Sequence, residues 1–508
     1  MALDDSELYE HGYPLPLHQI LRMVRCFKVL LLSSPLVFAI ERCSVEAFYK
    51  YHALRVIADV LSNLYARWAR RPFARSELWE VSVTASRRFK TELLSNYPCA
   101  SAVLSYLPWC IEFHQRLVYF RTTVDAERRA VQGSDTDPSF RSMGTSIRIR
   151  KNMLLEDGMN AMDHLSAPAL KDRIVVHYIN EFGEEEKGID AGGLFKDFWT
   201  DISNRVFNPS FGLFSVTESQ LLYPNHNALA LYPKDEIEKL YYFVGRVLGK
   251  ALFENMTVQP QFAHFFLAYI NGRYNFVNLI DDLCTFDPEL YKNLMFLKSY
   301  DGDIADLSLT FSVSDDAYGV QKEVDLVPGG ASMSVTTHNR HRYINLVAKY
   351  YLHDRIHLQA GAFFRGLNQV IRPDQLCIFC APELQVLISG TSSGISVEDL
   401  RANTQYAGGY HSVDRTIAKF WTVLETLEEA DRALLLKFVT SCERPPSLGF
   451  AALQPPFTIQ RVESEGDSRL PTASTCFNIL KLPAYSNKTI LKEKLLFSIR
   501  SGSGFDLS

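Results

Sequence analysis

Cysteine, glycine and proline are all scarce in this sequence. The 508 residues include nine cysteines, too few and of the wrong parity for a small scaffold held together by disulfides. The 26 glycines and 22 prolines make up about 9% of the chain, against an average of roughly 12%. This composition excludes a collagen-like or broadly disordered protein and indicates an intracellular chain with reduced thiols.

Long apolar runs and an excess of positive charge are also absent. The most apolar stretch near the start, 29–40, is interrupted by serine and proline, whereas a membrane-spanning helix needs about 20 apolar residues. The N-terminus begins acidic, without the basic segment of a signal peptide. The net charge of −5 disfavours a nucleic-acid binder, which is more often basic. We therefore expect no membrane or nucleic-acid partner, and a cytoplasmic or nuclear location.

The length is compatible with roughly three domains of about 150 residues. Apolar residues recur at helical spacing up to about residue 130, and a linker rich in Ser, Gly and Asp follows at 132–146. A run of six small residues, SGTSSG at 389–394, leaves the backbone free to act as a hinge. The predicted parts are a helical one at 1–140, a mixed one at 146–389 with a β-containing insertion at about 280–340, and a last one at 395–508. Within them, the residue patterns predict helices over 109–130, 194–206 and 237–253 and a strand over 174–179. In the insertion, a Pro-Gly-Gly turn at 328–330 separates two β-type runs.

The surroundings of Cys476 carry the strongest chemical signal. Cys476 lies between Pro471 and Pro483, which bias the residues before them towards extended backbone. Small polar neighbours such as Ser474 and Thr475 leave a thiol accessible in a loop or a short edge strand, and accessible thiols are the ones that react. The alternative interpretation is that Cys476 is one more small, buried apolar residue.

Two kinds of cysteine chemistry are open at this point. A cysteine protease needs a histidine base and a group that orients it, and the last histidine, His411, precedes Cys476 by 65 residues. Transthiolation needs no strong base, because a thiolate exchanges one thioester for another between thiols of similar pKa. Transfer onward to an amine does require a proton to leave that amine, which a nearby carboxylate can assist.

The segment LPTASTCFNILKLP at 470–483 resembles the catalytic-cysteine motif of HECT-type ubiquitin ligases, L-P-x-x-x-T-C-x-N-x-L-x-L-P. Other segments are similar to motifs of that family in the same order, and the resemblance covers about 146–508. Two positions depart from the pattern: Ser474 stands where many members have a histidine, and Ser441 where they have glycine. The other similar segments are GIDAGGLFKDF at 188–198, FVGRVLGKA at 243–251, 339–344, TQYAGGY at 404–410 and FVTSCERPP at 438–446.

The resemblance implies an α+β fold in which a helical N-terminal extension precedes two lobes. The first lobe, 146–389, would bind a charged ubiquitin-conjugating enzyme through its small inserted unit. Tyr291, Leu294 and Leu297 lie there at helical spacing, and we take them as candidates for the docking groove. The alternative for these three side chains is an ordinary place in the core.

The second lobe, 395–508, would carry the nucleophile. By the same resemblance, Cys476 would accept ubiquitin as a thioester and pass it to a substrate lysine, with Thr475 in a supporting role. Near the C-terminus, Phe505 would anchor the tail across the lobes, and Asp506 is a candidate acid for orienting or deprotonating the lysine. The partners implied are ubiquitin, a conjugating enzyme and protein substrates, without a cofactor.

Three alternatives complete the sequence-based predictions. The pair Cys377 and Cys380 has the spacing of half a zinc site, but no second pair accompanies it, so we expect two core positions and no metal. A non-catalytic scaffold would bind conjugating enzymes while Cys476 stayed inert. A cysteine protease or deubiquitinase is the third alternative.

Overall fold

The computed structural model describes residues 5–33, 52–81, 87–95, 97–133, 144–180, 183–185, 193–271, 279–317, 320–391, 394–464 and 466–501. Within these residues the fold is α+β. Helices make up most of the structure, and the strands form four small sheets, three of two strands and one of four.

The helices of the described residues are α1 (Asp5–Tyr9), α2 (Leu17–Ser33), α3 (His52–Arg70), α4 (Arg87–Leu94), α5 (Pro98–Tyr106), α6 (Phe113–Gln132), α7 (Leu154–Asp163), α8 (Ala167–Lys171), α9 (Gly193–Val206), α10 (Ala228–Leu231), α11 (Lys234–Phe253), α12 (His264–Leu267), α13 (Leu279–Phe286), α14 (Pro288–Ser299), α15 (Arg340–Leu352), α16 (His357–Leu367), α17 (Pro373–Leu376), α18 (Ala381–Ser389), α19 (Val397–Ala402), α20 (Arg415–Glu425), α21 (Glu429–Thr440) and α22 (Lys488–Ser501). The strands are β1 (Thr145–Arg150), β2 (Ile174–Ile179), β3 (Phe214–Val216), β4 (Leu222–Pro224), β5 (Ser312–Ala317), β6 (Val320–Asp325), β7 (Gln405–Ala407), β8 (Thr458–Val462), β9 (Thr472–Ser474) and β10 (Ile479–Pro483).

One hydrophobic core, the first core, extends along the chain from Leu8 to Ile388. Side chains of the N-terminal helices belong to it, and Trp79, Trp109 and Phe120 are fully buried there. Within the described residues, the N-terminal helices therefore share one core with the segment that follows the linker.

A buried ion pair also joins the N-terminal helices to the rest of the first core. Arg116 of α6 binds both carboxylate oxygens of Glu383 in α18, at 2.6 and 2.7 Å. Tyr65 of α3 donates a hydrogen bond to the same carboxylate at 2.6 Å. Because α18 ends at residue 389, this network connects the N-terminal helices to the segment that leads out of the first core.

The centre of the first core is the crossing of α11 and α16. A β-carbon at Gly245 of α11 would lie 1.9 Å from the carbonyl oxygen of Phe363, and one at Gly366 of α16 would lie 2.0 Å from that of Tyr242. Real β-carbons do not approach a backbone oxygen so closely, so glycine at both positions is what allows the two helix backbones to touch. This crossing fixes the position of α11, on which α9 packs.

Gly245→Ala is expected to destabilise the first core by roughly 1–3 kcal/mol, because the added methyl group forces the two helices apart. Gly361→Ala on α16 is the matched control. Its β-carbon would meet only the end of the Arg365 side chain, at 3.5 Å, and alanine favours the helix over glycine by about 1 kcal/mol. Chemical denaturation should show a lower midpoint for the first variant and an equal or higher one for the second. Equal midpoints would contradict the packing argument.

The sheet next to the linker is a parallel pair of strands. β1 pairs with β2 from Thr145 opposite Ile174 to Arg150 opposite Ile179, and alternate residues of both strands are buried. The strand predicted over 174–179 is confirmed with the same bounds. Since α9 packs against β2 as well as α11, two parts of the first core hold this helix in place.

The small unit comprises α13, α14, the β5–β6 pair and α15. Its helices pack on one another, and β5 pairs antiparallel with β6 from Ser312 opposite Asp325. This pair lies in the stretch for which the sequence predicted a β-containing insertion. The run that follows the Pro-Gly-Gly turn at 328–330 is less regular than the sequence predicted. It contributes an isolated bridge, between Thr310 and Ser334, instead of a strand.

A second core begins after the small-residue segment and extends from Ile395 to Ile499. Its sheet has the strand order β7-β8-β10-β9. β10 runs parallel to β8 and antiparallel to β9. Helices α20, α21 and α22 supply much of the remaining core, and α22 packs on both of the other two.

Candidate active site

Cys476 lies in a single 3₁₀ turn, Thr475–Phe477, between β9 and β10. The two strands are antiparallel neighbours, with Ser474 opposite Ile479, so the chain reverses direction within four residues. The prediction of a loop beside a short strand is thus confirmed for the backbone of Cys476. Its side chain lies outside what the structure describes.

Asn478 closes the turn in a left-handed conformation, with φ of 53°, which asparagine adopts more readily than most residues. Its side chain is completely buried. The side-chain nitrogen of Asn478 donates to the carbonyl of Pro455 at 2.5 Å. The backbone carbonyl of Asn478 accepts from the backbone amide of Thr458 at 2.9 Å. These bonds tie the cysteine turn to the start of β8.

Lys196 approaches the same turn from the first core. Its ammonium group donates to the carbonyl oxygen of Thr475 and to the side-chain oxygen of Asn478, each at 2.6 Å. The lysine lies in the first turn of α9, whose position β2 and α11 determine. The residues on both sides of Cys476 therefore contact a cation from the other core.

Sequence reasoning did not single out Lys196, although it lies in a segment that resembles a family motif. A lysine on a helix has many possible partners, and its distance along the chain from Asn478, 282 residues, gives no local signal. Asp190 of the same segment lies outside the described residues. Phe505 and Asp506 also lie outside them, so their roles stay predictions.

Several other thiols are unsuited to act as nucleophiles. Burial raises the pKa of the Cys110 thiol to about 12. Burial likewise raises the pKa of Cys380 and of Cys442, although Arg444 and Lys196 act in the opposite direction on Cys442. The thiolate is the reactive form, so these three cysteines are held in the unreactive one.

The 442–454 loop of the second core makes further contacts with the first core. Asn255 donates to the carbonyl of Ala452 at 2.9 Å, and Arg128 of α6 donates to the side chain of Gln454 at 3.4 Å. Leu448 packs against the first core. Both hydrogen bonds and apolar packing therefore connect the two cores near the cysteine turn.

The segment predicted as a hinge begins as part of this interface. Ser389 is completely buried at the end of α18. Gly390 has φ of 81°, and a β-carbon there would lie 2.4 Å from the carbonyl oxygen of Pro445. The amide of Thr391 donates to that same carbonyl at 3.2 Å. Residues 392–393 lie outside the described residues, so their part in a hinge stays a prediction.

Of the three docking candidates, Leu294 and Leu297 lie inside the protein rather than on its surface, whereas Tyr291 is partly exposed and its role stays a prediction. Leu294 and Leu297 are only 5% and 4% exposed, and Tyr291 is half-buried against the first core. Their spacing reflects the inner face of α14, which packs on α13 and α15, and that packing leaves the two leucines no surface for a partner. The exposed aromatic side chain of α14 is Phe296, at 60%.

Cys377 and Cys380, which were expected at core positions, are each only partly buried. The backbone amide of Cys380 donates to the Glu383 carboxylate at 2.9 Å, at the start of α18. Within the described ranges, no group of three or more His, Cys, Asp or Glu side chains is arranged to hold a metal ion. In the same parts of the chain, no helix has the length and apolar character that crossing a membrane requires.

Comparisons with known proteins point in one direction. A family model described as HECT-domain (ubiquitin-transferase) matches residues 200–508. Over the whole chain, the sequence is 37% identical to ubiquitin-protein ligase E3B of Homo sapiens and covers 49% of that protein. It is also 37% identical over its whole length to E3 ubiquitin-protein ligase UPL6 of Arabidopsis thaliana, with 50% of that protein covered.

A probable E3 ubiquitin protein ligase of Schizosaccharomyces pombe is 46% identical over 71% of this chain and 34% of its own length. The chain spans about half the length of the first two relatives.

Proposed function

Because the chain belongs to the HECT family, we propose that it is an E3 ubiquitin ligase that carries ubiquitin as a thioester on Cys476. The observation that supports this most directly is the placement of Cys476 in a strand-connecting turn at the junction of two cores, within the family's motif. A nucleophile that must meet a donor and then an acceptor benefits from such a place at the edge of a separate unit.

The reaction has two steps, and each conserves atoms and charge. The Cys476 thiolate attacks the carbonyl carbon of the thioester between ubiquitin and a conjugating enzyme, and the thiolate of that enzyme leaves. A substrate lysine amine then attacks the new thioester, so that an amide bond forms and the Cys476 thiolate leaves. The proton released by the amine passes to a base, for which Asp506 is the candidate.

We take the two cores to be the two lobes of the family. Residues 146–389 with the packed N-terminal helices would form the lobe that binds the conjugating enzyme, and 395–508 the lobe that carries ubiquitin. Each has its own hydrophobic core, and hydrogen bonds from Lys196, Asn255 and Arg128 cross the interface between them. Such interfaces are typical of domains that move relative to each other.

The docking surface for the conjugating enzyme is proposed on the outer face of α14, around Phe296. An aromatic ring that is 60% exposed is a common anchor for a protein partner. Phe296→Glu is expected to slow ubiquitin loading at least tenfold without changing thermal stability. Leu231→Glu is the matched control, because Leu231 is similarly exposed but lies on α10. If both variants load at the normal rate, the docking surface lies elsewhere.

The test of the proposed function is a loading assay on the complete chain. We expect a ubiquitin adduct to form with activating enzyme, ATP and at least one of a panel of conjugating enzymes, and to disappear on addition of a reducing agent. Absence of an adduct with every conjugating enzyme would support the scaffold alternative. Cleavage of a ubiquitin C-terminal amide by the chain alone would support the protease alternative.

A further inference from the structure

Lys196 connects the first core to the cysteine turn through a charged donor. One ammonium group binds a backbone oxygen directly before Cys476 and a side-chain oxygen two residues after it, both at 2.6 Å. Hydrogen bonds with a charged donor are shorter and about twice as strong as neutral ones. The contact therefore favours one relative position of α9 and the turn.

Asn478 makes this contact depend on the shape of the turn. Its side chain is completely buried, and its two polar groups face in different directions. The nitrogen binds Pro455 within the second core, and the oxygen binds Lys196 of the first. Removing the ammonium group would leave a buried oxygen at the interface without this partner, which is costly.

We propose that Lys196 is a positioning residue that holds the cysteine turn on the first core during transfer of ubiquitin from Cys476 to a lysine. This inference rests on the proposed function. It concerns the second step because α9 packs on β2 and α11, whereas the helices of the small unit pack on one another. The cysteine turn thus rests on a different part of the first core from the proposed docking surface.

A second contact supports the same arrangement independently of the lysine. Asn255, which follows α11, binds the carbonyl of Ala452 at 2.9 Å and has φ of 58°. Asn255→Gly removes this side chain while tolerating the positive φ. If the arrangement serves lysine transfer, this variant should slow the same step as a Lys196 variant does, although less strongly.

The test separates loading from discharge. In the first assay, the rate of ubiquitin loading is measured at saturating charged conjugating enzyme. In the second, the loaded chain is purified from the conjugating enzyme and discharged to free lysine in a single turnover. Lys196→Gln is compared with Lys196→Arg, which keeps the charge, and with Lys239→Gln, which removes an exposed lysine of α11.

We expect Lys196→Gln to slow discharge about tenfold or more, the effect of losing a hydrogen bond to a charged group, and to change loading less than twofold. Lys196→Arg should recover most of the rate, Asn255→Gly should slow discharge by a smaller factor, and Lys239→Gln should match the native chain. Equal losses in both steps, or normal discharge in Lys196→Gln, would overturn the positioning role. Failure of the native chain to load would instead overturn the proposed function.

Discussion

Cys476→Ala is expected to abolish the reducing-agent-sensitive ubiquitin adduct and all lysine transfer. Alanine has no atom that can form the thioester, and the motif at 470–483 contains no second cysteine. The thiols of Cys110, Cys380 and Cys442 have raised pKa values and so contribute little thiolate. The measurement is a non-reducing gel of a loading reaction, quenched within seconds.

Cys476→Ser is the informative companion. A serine oxygen forms an ester, which resists thiol reducing agents but is hydrolysed by hydroxide. We expect a weak adduct that survives reduction and disappears in alkali. Cys442→Ser, at a buried thiol, is the control and should load as the native chain does. An undiminished, reducible adduct in Cys476→Ala would mean that another cysteine is the nucleophile.

Arg116→Met is expected to destabilise the first core by about 3–5 kcal/mol, the usual cost of removing one partner of a buried ion pair. The Arg116 side chain is 1% exposed, and it also donates to the carbonyls of Ile111 and Ile378. Its loss leaves the Glu383 carboxylate buried with the Tyr65 hydroxyl and the Cys380 amide as remaining donors. Chemical denaturation measures the change.

The size of this loss should depend on pH. Burial would raise the pKa of Glu383, but the charge and hydrogen bonds of Arg116 outweigh it and hold the pKa below its ordinary value. In the native chain the carboxylate therefore adds stability that is lost as the pH falls through the folded pKa. Without Arg116, we expect burial to hold the folded pKa of Glu383 above the unfolded one, so that stability falls as the pH rises. We expect a larger difference at about pH 7.5 than at about pH 5.

The control for Arg116 is a variant in which both charges are removed. Arg116→Met combined with Glu383→Leu should be more stable than Arg116→Met alone, because replacing a whole buried ion pair by apolar groups often costs little. If the single and double variants were equally unstable at both pH values, the uncompensated carboxylate could not be the cause.

Loading assays on these variants would separate stability from chemistry. Arg116 lies far along the chain from the cysteine turn, and it contacts α18 rather than that turn. We expect Arg116→Met to load ubiquitin normally at temperatures where it remains folded.

The helices and strands with long, regular patterns were predictable from local sequence. The strand at 174–179 was predicted with its bounds, and the helices expected at 194–206 and 237–253 correspond to α9 and α11. A helix expected from Trp109 instead begins at Phe113 after a short turn, since Pro108 begins that turn. Periodicity identifies an element more reliably than its first residue.

Exposure was much less predictable than periodicity. Leu294 and Leu297 have the spacing of a helix face in either interpretation, and the sequence does not say whether that face meets a partner protein or the inside of its own domain. Because α14 packs on α13 and α15, the face with these two leucines lies inside the domain, and Phe296 on the same helix is left exposed. The same limit applies to the described N-terminal helices, because the apolar face of a helix does not show in sequence which core it will complete.

The sequence by itself was enough to recognise the family and to predict that Cys476 lies in a loop or a short edge strand. Both follow from a motif with fixed spacing, which is local information. Tertiary structure alone decided what surrounds that turn. Lys196 meets Asn478 across 282 residues of chain, and Arg116 meets Glu383 across 267. Such pairs exist only after helices have packed, since the contacts that bring them together are spread over the whole core and leave no pattern at either residue.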